Sequence, residues 1–221
     1  MDYECSEDNL MLISAETKRP TISDVRLGWL QRFCSLASQG DLVKAGHACH
    51  VDPTVVSDSI QRLEDVVCRP LMAPATSYIP VSGRTFLKDA KHILGLIAAL
   101  SSRPAGHVSI SWFMALIAIS DHENYSAAAR SLGWTRYKVM RGVAELGNWI
   151  EHPLVLPNQG FKLTMEGENA VRTGKEIISV LENSKGNSEV WWKGKMRNRR
   201  IPWWIKIFPR KIFKFNSPAR D

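Results

Sequence analysis

Sliding the chain along itself by 83 residues brings Trp29 onto Trp112, Ala45 onto Ala128 and Leu63 onto Leu146. The same shift pairs Pro70 with Pro153, Leu71 with Leu154 and Pro74 with Pro157. Apolar positions follow it too: Leu36 with Ile119, Leu42 with Tyr125, Cys49 with Leu132, Val51 with Trp134 and Ile60 with Val143. A slip of one residue after Pro74 sets Gly83 on Gly167. One offset held across a whole unit is the signature of an internal repeat. It constrains the 221 residues to two small units of the same kind, each near the lower end of domain size.

Both units spell the same elements. In the first, Leu27, Leu30, Cys34 and Ala37 share one face of a helix that should end near Gly40. A short helix follows over Leu42 to Cys49, with small residues Ala45 and Gly46 at its middle. Asp52 is a good N-cap and Pro53 suits the first helical position, opening a third helix with Val56, Ile60 and Leu63 inward. Pro70 and Pro74 break the chain, Ser77 to Val81 reads as a short strand, and a fourth helix runs over Ser82 to Leu100. In the second unit the helices fall at Ile110–His122, Ser126–Leu132, Arg136–Ile150 and Met165–Leu181, with a wing around Leu154 to Leu163. Three helices and a β wing, with small residues where the second helix is crossed, define a winged helix-turn-helix. The expected fold is therefore mainly α: two tandem winged helix-turn-helix domains, each with a small β wing and a following linker helix. The boundaries are an acidic arm at 1–23, units at 24–103 and 104–186, and a tail at 187–221.

These residues resemble the DNA-binding domain of LysR-type transcriptional regulators. The first unit carries the pattern as Asp41-Leu42, Ala45-Gly46, Val51, Ser57, Ile60, Leu63-Glu64, Pro70-Leu71 and Val81-Ser82 with Arg84. The second carries it as Asn124-Tyr125, Ala128-Ala129, Leu132, Arg141, Val143, Leu146, Pro153-Leu154 and Leu163-Thr164-Met165-Glu166-Gly167. The resemblance runs from Asp24 to about Lys185 and implies a sequence-specific transcription regulator of bacterial cytoplasm, associated with the nucleoid. It departs from the family in holding a second helix-turn-helix where the family has an effector-binding domain, so small-molecule sensing is not implied.

In such a domain the exposed start of the third helix enters the major groove. The second unit offers Thr135, Arg136, Tyr137, Lys138 and Arg141 there, with Arg130 on the second helix and Lys162 on the wing for flanking phosphates. The first offers Thr54, Ser57, Gln61 and Arg62, but Asp58 stands where the family has an arginine, and a carboxylate there opposes phosphate. The expected partner is double-stranded DNA, read by the second unit. The first unit leaves a rival reading open: a scaffold that binds another transcription regulator or RNA polymerase. Apolar Ile93, Leu94, Leu96, Ile97 and Leu100 on the linker helix must pair with their equivalent, within the chain in a pseudo-twofold or across a homodimer.

Charge is unevenly placed. The segment from Asn187 to Asp221 holds ten Lys/Arg against two acids, a net +8, leaving 19 basic and 20 acidic residues elsewhere. In this tail Trp191, Trp192, Trp203 and Trp204 interleave with Lys193, Lys195, Arg197, Arg199, Arg200, Lys206, Arg210, Lys211 and Lys214. The tail is expected to add phosphate contacts through Lys193, Lys195, Arg197, Arg199 and Arg200; packing of the tryptophans on the second domain and, less favoured, an anionic membrane surface are the alternatives. No run approaches the ~20 apolar residues of a membrane span, and Met1 to Leu10 lacks the pattern of a secretory signal. The cysteines are expected to be free; His47, Cys49, His50 and Cys68 lack the paired spacing of a zinc site. No glycine-rich phosphate loop, catalytic triad order or partner for His107, His122 or His152 is legible, so neither an enzyme nor a cofactor is expected.

Overall fold

The computed structural model describes residues 19–73, 78–156 and 161–199. After a 3-10 turn at Ile22–Asp24, the first half holds α1 (Leu27–Gln39), α2 (Leu42–Cys49), α3 (Pro53–Val67) and α4 (Val81–Leu100). The second holds α5 (Ile110–His122), α6 (Tyr125–Leu132), α7 (Arg136–Ile150), the hairpin β1 (Val155–Leu156) and β2 (Lys162–Leu163), then α8 (Met165–Asn183). A ninth helix, α9 (Ser188–Arg199), follows. The chain is mainly helical, with a small two-stranded antiparallel sheet in which Val155 faces Leu163 and Leu156 faces Lys162.

Local chemistry explains where the helices start and stop. Asp41 accepts from the Val43 and Lys44 amides, and Asn124 at the matching position accepts from Ser126 and Ala127. Gly40 closes α1 in the left-handed region at φ 67°, and Gly133 closes α6 at φ 62°. Gly83 and Gly167 have no room for a side chain. A Cβ on Gly83 would stand 2.4 Å from Leu71 O, and one on Gly167 2.1 Å from Leu154 O. The fourth helix of each half thus starts hard against the chain that leaves the third.

The two halves meet through reciprocal backbone bonds. The Leu27 amide donates to Val108 O at 2.9 Å, and the Ile110 amide donates to Val25 O at 3.0 Å, around a bridge between Arg26 and Ser109. Arg26 and Ser109 are 83 residues apart. The ends of the long helices also cross over. After α4, Ser101 Oγ donates to Trp149 O at 3.2 Å and Trp149 Nε1 donates to Pro104 O at 3.2 Å, both at the end of α7. After α8, the Gly186 amide donates to Val67 O at 2.7 Å, at the end of α3. Between them α4 and α8 pack together, with Ser184 Oγ donating to Asp89 at 2.6 Å and His92 sharing a 3.0 Å bond with Glu176. One buried cluster accordingly spans both halves, from Phe33 and Phe86 to Phe113, Leu116 and Ile177. Each such side chain removed from water contributes about 1.5–3 kcal/mol. Ile93 and Ile97 of the linker-helix stripe are buried within the chain.

One expectation needs correction. The strand expected over Ser77 to Val81 is absent among the described residues of that segment: Tyr78 to Pro80 are not strand and Val81 opens α4. The Ala73 amide donates to Tyr78 O at 2.9 Å where a wing would be. Pro80 has no amide to donate to a ladder, so a strand there ends before it can propagate. The start of the tail is helical and docks on the first half, not on the second. Trp191 Nε1 donates to Asp65 at 3.3 Å, and Lys195 forms an ion pair with the same carboxylate. Residues 1–18 of the acidic arm, Pro74, Ser77 and the tail from Arg200 onward lie outside the described residues.

Candidate nucleic-acid interface

Only Gly133 to Thr135 separate α6 from α7. The turn is held by the Gly133 amide on Arg130 O at 3.2 Å and the Trp134 amide on Ala129 O at 2.9 Å. Thr135 then caps α7, its hydroxyl oxygen accepting from the Lys138 amide at 3.2 Å. Inward, Gly142 lets α7 lie close on α5, since a Cβ there would stand 3.1 Å from that of Ala115. Val139, Val143 and Leu146 are buried. With a 3.6-residue period, that inner stripe forces Arg136, Tyr137, Lys138 and Arg141 outward together, and all four are exposed.

The outward face is basic and lightly restrained. Lys138 Nζ sits 3.9 Å from the centre of the Trp134 ring, which holds the ammonium near the turn by cation–π attraction. Arg141 reaches Glu145 at 3.5 Å, an exposed one-turn pair contributing about 0.3–0.5 kcal/mol, which a phosphate can displace. Tyr137 is 71% exposed, far more than a core tyrosine would be. Arg130 on α6 and Lys162 on β2 are exposed as well. The wing is anchored by Phe161, whose ring meets Tyr125 edge-on at 5.0 Å; burial pushes the Tyr125 hydroxyl above its ordinary range.

The corresponding face of α3 has little positive charge. Thr54 is turned back on its own cap, its hydroxyl donating to Asp52 at 2.6 Å; these Thr54 bonds hold the Asp52 carboxyl below its usual range. Ser57 is half-buried, while Asp58 and Gln61 are exposed. Arg62 lies over the Trp29 ring at 5.8 Å. Gln61 also borders a cleft whose far wall is α9, lined by Met72, Pro70, Val190 and Trp191. On that helix Lys193 pairs with Glu189 at 3.7 Å and Lys195 is committed to Asp65. Within the chain Lys195 is thus engaged by a carboxylate of the first half. Arg197 and Arg199 lie on α9, and Arg200 is outside the described residues.

Sequence reasoning missed Arg26 and His107. Both line the groove beside α7, together with Tyr137, Lys138 and Arg141. Arg26 falls opposite Ser109 in the repeat, so neither identity nor periodicity singles it out. Desolvation pushes the Cys34 thiol up to about 11 and raises that of Cys68, both away from thiolate. Among the described residues no group of three or more His, Cys, Asp or Glu stands where it could hold a metal ion, and no helix is long and apolar enough to cross a membrane.

A short turn, a capped helix and a basic outward face are together what a DNA-reading helix requires. Residues 110–168 match the family described as bacterial regulatory helix-turn-helix protein, lysR family. The lysR-family segment runs from the first residue of α5 through the hairpin to the first turn of α8. It takes in Arg130, the whole of α7 and Lys162, and it indicates DNA binding and transcription regulation. No curated protein and no solved structure matches the chain.

Proposed function

We propose that this protein is a sequence-specific regulator of transcription that binds double-stranded DNA with α7 in the major groove. The observation that carries this reading is the co-exposure of Arg136, Tyr137, Lys138 and Arg141 at the capped start of α7, inside the lysR-family segment. Arginine forks suit guanine edges or phosphate, and Arg130 and Lys162 flank them for backbone contacts. In this reading the two halves are duplicated helix-turn-helix units. The equal lengths of their first three helices, the common offset and the reciprocal bonds at Arg26 and Ser109 support it. The pair that other regulators assemble from two chains is then internal, and no homodimer through the linker helices is required. The protein acts in the cytoplasm by binding alone, without catalysis or cofactor.

Duplex selection from a random pool tests this with the full chain. The wild type is expected to enrich one motif, and Arg136→Ala/Arg141→Ala to lose that preference while keeping its fold by circular dichroism. Equal enrichment by both proteins would falsify the assignment of α7.

A second reading rests on α3. Its outward face carries Asp58 and Val55, the latter 38% exposed, and its one outward arginine lies over Trp29. Such a face favours contact with another protein, a regulator or RNA polymerase, while α7 holds the DNA.

A further inference from the structure

Arg26 belongs to the first half, yet its side chain lines the groove beside the second half's α7. Its position is fixed from both sides. Val25 O accepts from the Ile110 amide at 3.0 Å, and the Leu27 amide donates to Val108 O at 2.9 Å. The residue is exposed. Across the groove stand Lys138 and Arg141, so three cations from two halves of the chain converge on one depression. Glu145 is the one carboxylate lining it, and it is tied to Arg141 at 3.5 Å. Ser109 and Ser111, whose hydroxyls share a 2.8 Å bond, add neutral polar groups to the lining. His107 packs against Trp112 with ring centres 6.0 Å apart, giving the groove a firm wall.

The geometry points to a phosphodiester-binding groove in which Arg26 clamps the DNA backbone alongside the recognition helix. This rests on the reading that α7 enters the major groove. Three like charges share this lining with a single carboxylate, Glu145, and the net positive charge left over calls for an anion of more than one contact point. A guanidinium offers a planar fork that fits two phosphate oxygens. Arg26 precedes α1 and is not carried on α7, so its contact is to backbone and not to base edges. The first half thereby strengthens DNA binding although α3 is poor in cations.

The test measures affinity of the full chain for a random-sequence duplex across a salt series, with Arg26→Ala, Arg26→Lys and Arg136→Ala/Arg141→Ala. Arg172→Ala, an exposed cation on α8, is the control. Each phosphate contact adds a slope of about −0.9 in log affinity against log salt. Arg26→Ala is expected to lower the slope by about one contact and weaken binding roughly three- to tenfold at low salt, whatever the sequence. Arg26→Lys should restore most of the slope, and Arg172→Ala should match the wild type. Unchanged slope and affinity in Arg26→Ala, with loss in Arg136→Ala/Arg141→Ala, overturns the groove and leaves the α7 reading standing. Inorganic phosphate separates the two sources of the anion. If phosphate alone saturates the Arg26 side-chain resonance below millimolar while Arg26→Ala leaves the duplex slope intact, the groove serves a free anion and the inference falls. A wild-type chain that binds no duplex overturns both.

Discussion

Asp58 is the residue that most separates the outward faces of α3 and α7. It sits on the exposed side of α3, where a positive side chain would meet phosphate. If α3 lies along DNA, Asp58→Arg replaces repulsion by attraction and should tighten duplex binding about tenfold at low salt, with a steeper salt slope. If α3 faces a protein partner, the substitution leaves DNA affinity unchanged, and filter binding across a salt series decides. Glu64 gives a prediction about stability. Burial raises its carboxyl, although the Leu71 and Met72 amides donate to it at 2.8 and 3.0 Å. A raised folded value means its contribution is fully present below the ordinary carboxylate range and is lost as pH rises through that value. Glu64→Gln keeps an acceptor for both amides and removes the buried charge. Its urea midpoint at pH 7 should therefore exceed the wild type's, with the difference vanishing below pH ~4. Arg26 shows why part of the site was illegible. Arg136, Lys138 and Arg141 announce themselves by following a turn and a cap, whereas Arg26 acquires meaning only from a bridge to a residue 83 positions away.

At the scale of elements, the helices were legible because each boundary has a local cause. Gly40 and Gly133 end helices through positive φ, and Asp52 with Pro53 opens α3, as read from the chain. Errors of a residue or two stand where the signal is weakest: α6 begins at Tyr125, one residue before Ser126, and α8 continues to Asn183. The hairpin in the second half was legible; the strand read over Ser77 to Val81 is absent among the described residues of that segment, where Pro80 cannot serve a ladder. Helix α9 had no readable signal, since Ser188 to Arg199 has no apolar stripe and carries Gly194. What holds it is tertiary: Trp191 and Lys195 both on Asp65, whose side chain is 16% exposed. Asp65→Ala removes both bonds and should cost about 1–3 kcal/mol. Hydrogen exchange of the amides from 190 to 199 should quicken at the same time. Unchanged protection there would mean that α9 does not depend on Asp65 for its hold.

At the scale of the whole molecule, the repeat suggests two domains, but the packing joins them. The stretch after α4 docks on α7, the stretch after α8 docks on α3, and one core runs through both halves. Unfolding is expected to be a single cooperative transition, with near- and far-ultraviolet circular dichroism coinciding in urea. Two separated transitions would show that the halves are independent. A break at the joint should act on everything: a Cβ on Gly28 would stand 2.4 Å from Gly106 O. Gly28→Ala should lower stability by about 1–3 kcal/mol, and both halves should lose it together.

The reciprocal bridge at Arg26 and Ser109 also bears on dose. Where two separate chains must first meet, the fraction of competent pairs falls as the cell dilutes them, and occupancy of a site rises steeply with copy number. In the proposed reading the two partners are fastened in one polypeptide, so dilution cannot separate them. Occupancy should climb in simple proportion to the number of molecules, and a handful of copies per cell would be as well assembled as a thousand.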